Sequence, residues 1–144
     1  EDLDARRIVA MGGVPTGELI EEYEVLAVAS DADLLDALVD AGAAVRPDEP
    51  AGGIIGVSGL LLGLGSRRGF DTACLMGETS GYLVDPKSAT KLLGVLEAWL
   101  GFEVDTGSLD DRAEEMEEVI GRIQEMEAQP QFDVPSDEDL RYIG

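Results

Sequence analysis

The residues best suited to chemistry stand in the stretch "LMGETSGYLVDP", Leu75 to Pro86. An apolar run ends there and passes through Gly77-Glu78-Thr79-Ser80-Gly81 into Asp85-Pro86, where a helix is predicted to start. Glu78 is the best single candidate for a general base, since a carboxylate at a strand end beside two hydroxyls is a natural place for proton transfer. Active carboxylates come with identifiable partners, however, and the sequence sets none beside Glu78; capping or solvent exposure is the stronger reading. Ser58, Ser66 and Ser80 are possible nucleophiles, but the chain has no His, and no Lys or carboxylate is spaced to serve as their base. Without His or a second Cys, metal binding is reduced to hard-cation sites built from scattered acids.

Two glycine-rich stretches could cradle a phosphate, because helix N-termini that follow strands present N–H donors there. Gly63-Leu64-Gly65-Ser66-Arg67-Arg68-Gly69 misses G-x-G-x-x-G by one residue and precedes a strand where the fingerprint should follow one. Met11 to Gly17 has no P-loop Lys. Tight turns and close packing explain both stretches more simply. Arg67 and Arg68 could hold an anion, or they are surface charges offsetting nearby acid.

The elements that must position these groups are legible as alternating strands and helices. "RIVAM", Arg7 to Met11, reads as a strand leading into Gly12-Gly13-Val14-Pro15-Thr16-Gly17, and "YEVLAVA", Tyr23 to Ala29, as a second strand. Ser30-Asp31-Ala32-Asp33 resembles a capping box, and its helix should end at Gly42. "GGIIGVSGLLLGLGSRRG" reads as a turn followed by a helix in close contact with its neighbours, and "FDTACLM", Phe70 to Met76, as a buried strand. Asp85 can cap the next helix with Pro86 in its first turn, and Ala89, Leu92, Leu93, Leu96, Trp99 and Leu100 form its apolar face. From Ser108 a last helix carries Leu109, Ala113, Met116, Ile120 and Ile123 at steps of four and three, a narrow seam suited to one neighbour. The pattern predicts an α/β fold, with a mostly parallel sheet and helices on both of its faces.

Composition limits the function classes. There are 31 Asp plus Glu against 10 Lys plus Arg, a net charge of −21, yet 44% of the residues are apolar and fall in well-formed runs. That describes a folded protein with an acid-coated surface, the pattern selected in salt-loving organisms; a nucleic-acid mimic or a binder of basic proteins is the alternative. Nucleic-acid binding is disfavoured, because neutralising phosphates needs a cationic patch. Cys74 lies in an apolar strand and reads as a buried, inert thiol. The longest apolar run, residues 51–65, is too short and too rich in glycine for a membrane span, and no signal peptide is visible. The first residue is Glu1, which suggests a piece of a longer polypeptide.

Residues 56–105 resemble the PAC2 family, the proteasome assembly chaperones, in its archaeal branch. The features that carry the resemblance are the glycine-studded helix, a strand ending Leu75-Met76-Gly77-Glu78-Thr79, then Gly81-Tyr82, then Asp85-Pro86-Lys87 before a Leu-rich helix. It continues through "LDDRAEEMEEVIGRI", while Gly12-Gly13 match more weakly. The resemblance implies a nucleoside-phosphorylase-like three-layer sandwich without its catalytic set, and no cofactor. It implies a non-enzymatic, cytoplasmic chaperone-like protein that forms homo-oligomers or paralogue hetero-oligomers and binds proteasome α subunits or assembly intermediates. An ATP-grasp-type, nucleotide-dependent ligase or another small-molecule enzyme is the alternative. On this reading residues 1–129 are a portion of a PAC2-like domain that lacks its N-terminal part, and 130–144 form a proline-containing tail. Gly77, Glu78, Thr79, Gly81, Asp85 and Pro86 then form a fold corner, with Gly77 and Gly81 supplying turn geometry. The resemblance implies that members of the family, like other proteasome partners, can dock with a C-terminal hydrophobic-Tyr-any tail, a pattern this sequence does not match: Tyr142 is third from the end. Leu140, Tyr142, Ile143 and Gly144 are nonetheless the candidate docking residues, the alternative being that they pack back on the domain.

Overall fold

The computed structural model describes residues 4–20, 22–47, 54 and 56–128. Three strands form one sheet: β1 (Arg7–Pro15), β2 (Val25–Ala29) and β3 (Asp71–Thr79), in the order β1-β3-β2. β1 runs parallel to β3, with Arg7 opposite Asp71 and Pro15 opposite Thr79. β2 runs antiparallel to β3, with Val25 opposite Gly77. The sheet of the described residues is therefore mixed, not mostly parallel: β2 meets β3 in the opposite sense. Ala44 adds a short bridge outside β2, donating to Val25 and accepting from Ala27.

β3 is the central strand and is buried from Thr72 to Glu78. Its side chains alternate between two cores, as the period of a strand requires. Ala73 and Leu75 point to one face, where they meet Leu34 and Leu38 of α1 (Ala32–Asp40) and Leu92, Val95 and Leu96 of α3 (Pro86–Leu100). Cys74 and Met76 point to the other, with Ala10, Leu26 and Leu62 of α2 (Val57–Arg67). Helices thus cover both faces. A last helix, α4 (Gly107–Ala128), lies against α3.

The caps explain where the helices begin. Asp31, not Ser30, caps α1, accepting from the Leu34 amide at 2.9 Å, while the Ser30 hydroxyl bonds Asp31 and accepts from the Thr72 amide. Asp85 caps α3 by accepting from the Ser88 amide at 3.2 Å, with Pro86 following at the position that needs no N–H. At α4 the Thr106 carbonyl accepts from Leu109 and Asp110, and Asp105 accepts from the Gly107 amide, so the helix starts just before the predicted Ser108. On α3, Val95 is buried although the apolar face read from sequence omitted it, and Leu100 is 41% exposed. The α4 seam, Leu109, Ala113, Met116, Ile120 and Ile123, is half-buried throughout.

Candidate functional site

Gly77 and Glu78, assigned to a corner by sequence, are strand residues: β3 continues three residues past Met76. β1 likewise continues past Met11, where sequence ended it, through Gly12 and Gly13 to pair with that extension. Gly77 is required for closeness and not for a turn. A Cβ there would lie 2.4 Å from Ser88 Oγ and 3.3 Å from the Ser88 carbonyl, so the first turn of α3 rests directly on the strand. The turn itself comes at Gly81, whose φ of +89° suits glycine and whose missing side chain makes room for Pro15, 2.7 Å from where a Cβ would be. Thr79 secures the corner. Its carbonyl accepts from the Thr16 amide at 2.8 Å and its hydroxyl from the Gly81 amide, while the Tyr82 phenol donates to the Gly17 carbonyl.

Glu78 is neither a cap nor exposed. Its side chain is 9% exposed, one oxygen pairs with Arg46 at 2.8 Å, and the other accepts from the Glu24 amide. Arg46 also reaches Glu24, joining the strand ends through one guanidinium. A carboxylate held this way has lone pairs engaged by a cation and a backbone donor, which makes it a structural tie. Sequence reasoning missed Arg46, although a signal was present: it is the only Lys or Arg between Arg7 and Arg67.

Behind the corner lies a cleft of about 350 Å³ between the start of α3, residues Leu19, Ile20 and Tyr23, and α4. Leu83, Val84, Met116 and Ile120 supply apolar walls, and Tyr23, Ser80, Asp85, Lys87 and Glu117 a polar end. Lys87 pairs with Glu117, tying α3 to α4 across the opening. The Tyr23 phenol is pushed up to about 12 from its ordinary 10.0, first by burial and then by the negative charge of the Asp85 carboxylate. Ser80 is buried with no hydrogen-bond partner for its hydroxyl among the described residues. Among the described residues no base hydrogen-bonds that hydroxyl.

The remaining candidates are not brought to this corner. Gly63 to Arg67 belong to α2 and Arg68 is its C-cap, so the stretch compared with a phosphate loop is helix. Arg67 and Arg68 stand near the start of β3 and Glu78 near its end, about 25 Å apart along the strand. Ser58 and Ser66 also lie on α2. Cys74 is buried, which pushes its thiol up, as expected of an inert group. Among the described residues no group of three or more His, Cys, Asp or Glu could hold a metal ion, and no helix is long and apolar enough to cross a membrane. Leu140, Tyr142, Ile143 and Gly144 lie outside the described residues.

The described residues thus form an α/β body with helices on both faces of a mixed sheet and a strand end tied by an ion pair. The chain belongs to the PAC2 family, which matches residues 1–124. An uncharacterized protein of Methanocaldococcus jannaschii is 36% identical over 144 residues, covering 97% of this chain and 55% of that protein. Among solved structures, Pyrococcus furiosus PbaB, an archaeal proteasome activator, is 38% identical with a TM-score of 0.71, over 83% of this chain and 51% of that one. Pyrococcus furiosus PbaA, an archaeal homolog of proteasome-assembly chaperone, is 30% identical with a TM-score of 0.72, over 85% and 50%. The chain spans about half the length of these relatives.

Proposed function

We propose that this protein is a non-enzymatic, proteasome assembly chaperone-like scaffold that binds proteasome α subunits or their assembly intermediates. The observation that carries the reading is the shared fold and sequence with PbaA and PbaB, at 30% and 38% identity. The corner supports it, because the conspicuous acid of the family-like Gly-Glu-Thr stretch is tied to Arg46 and left without a catalytic task. The same reading takes the described sheet and its helical layers as part of a nucleoside-phosphorylase-like sandwich in residues 1–129, with 130–144 as a tail. It makes the protein a self-associating or paralogue-pairing one, at work in the cytoplasm of a salt-loving archaeon. The nucleotide-dependent alternative draws no support from geometry, since Glu78 and the Arg67-Arg68 pair stand at opposite ends of β3.

The test is binding to purified proteasome α subunits in molar KCl, followed by size-exclusion chromatography. Co-migration with α subunits is the expected result. Failure to co-migrate, together with saturable nucleotide binding that Glu78→Ala abolishes, would replace the scaffold reading with the enzymatic one.

A further inference from the structure

The cleft behind the corner carries two polar groups that the fold leaves without a counterpart. Ser80 sits on its wall and is 4% exposed, and its hydroxyl has no hydrogen-bond partner among the described residues. A buried hydroxyl left unbonded is a standing cost, which a bound partner removes. Asp85 is the second group. One of its oxygens accepts from the Ser88 amide to cap α3, yet among the described residues no cation pairs with it. Lys87, two positions on, is engaged by Glu117.

The cleft's shape and charge narrow what it can hold. Its volume of about 350 Å³ suits a small molecule, and three stretches of this one chain wall it. Leu83, Val84, Met116 and Ile120 offer an apolar body its contacts. At the polar end Lys87 stands against Asp85 and Glu117, a net charge of 1 − 2 = −1, which repels a carboxylate or a phosphate. The Asp85 charge is felt across that end: after burial, it is what raises the Tyr23 phenol. A wholly apolar occupant leaves the carboxylate and the hydroxyl both unpaired, and a bare metal ion makes no use of the aliphatic walls.

The geometry points to a binding site for a small organic amine, with its ammonium donating to the Asp85 carboxylate and the Ser80 hydroxyl and its apolar body lying between Leu83, Val84, Met116 and Ile120. An ammonium has three N–H donors, so one head serves both acceptors. The serine hydroxyl has three staggered positions, and rotation about χ1 turns it to the ligand. The charged hydrogen bond to Asp85 supplies selectivity for amine over alcohol, and the walls supply affinity for the body. Contact at hydrogen-bond distance inside a walled cleft is screened far less than charges facing each other across solvent, so the site works in concentrated salt. It is a site of binding without reaction, and it stands apart from the chaperone reading.

Titration of the full chain with benzylamine, benzyl alcohol and benzoate in molar KCl, followed by heteronuclear NMR, tests this. The three probes share one body and differ in the head. Benzylamine should shift the amides of Ser80, Asp85 and Ile120 saturably and bind about tenfold tighter than benzyl alcohol, while benzoate should leave them unmoved. Asp85→Asn keeps a good helix cap and removes the charge, so it should bring benzylamine down to the affinity of the alcohol. Ser80→Ala should weaken amine and alcohol alike. The assignment is overturned if no probe gives saturable shifts at the cleft, if amine and alcohol bind equally, or if a folded Asp85→Asn chain binds benzylamine as before. The amine-to-alcohol ratio is read on the unaltered chain and decides the matter even where a variant fails to fold.

Discussion

At the scale of single residues, close contacts at the end of β3 do the work that the sequence suggested for chemistry. Gly77→Ala should cost about 1–3 kcal/mol, because its methyl group meets Ser88 and the backbone of α3 must move; the shift in denaturant midpoint measures it. Arg46→Ala leaves the buried Glu78 carboxylate without its cation. Since Arg46 is itself 38% exposed, water replaces part of the loss, and about 1–3 kcal/mol is expected. Adding Glu78→Gln to that variant should recover some of the stability, which a double-mutant cycle reads directly. Tyr23 gives a pH signature. Its pKa of about 12 exceeds the ordinary 10.0, so the unfolded chain loses the phenolic proton first. The contribution is present in full below pH 10 and fades as pH rises through about 12. Tyr23→Phe should therefore remove part of the alkaline fall in melting temperature between pH 10 and 12, seen as a difference from the unaltered chain.

At the scale of elements, α4 is the least secured part of the described fold. None of its seam residues is fully buried, whereas Leu75 of β3 and Leu38 of α1 have no exposed surface at all. Leu75→Ala should cost about 2–5 kcal/mol and Ile120→Ala roughly 1–2 kcal/mol, and amides of α4 should exchange with solvent by local opening before those of β3. This ordering also shows what the sequence could reveal. The apolar run of β3 and the Asp-Pro start of α3 were legible because strand burial and capping are local demands. The length of β1 was hidden, since Gly12, Gly13 and Pro15 look like turn residues while their real role is to pair beside Gly77, Glu78 and Thr79. The direction of β2 was not legible either: alternation shows which side chains face a core, and it is blind to which way the strand runs. The tie between Arg46 and Glu78 joins positions 32 apart (78 − 46), a pairing that only the folded chain reveals.

At the scale of the whole molecule, a net charge of −21 on 144 residues sets like charges against one another, a self-repulsion that works against the compact state. The Debye length falls from about 10 Å at 0.1 M salt to about 3 Å at 1 M, so neighbouring carboxylates that repel in dilute buffer cease to do so in concentrated salt. The melting temperature should rise from dilute buffer to molar KCl, and a flat or falling curve would remove the salt-loving interpretation of the composition. The strand order has a separate consequence, one of timing. β3 lies between β1 and β2, yet it is the last of the three along the chain, and Arg7 waits 64 positions (71 − 7) for Asp71. At roughly 5–20 residues per second of synthesis, that interval is about 3–13 s. In it β1 and β2 are made without the strand that joins them, and the sheet cannot close until Thr79 has been added. The growing chain must itself be kept from wrong partners for that time.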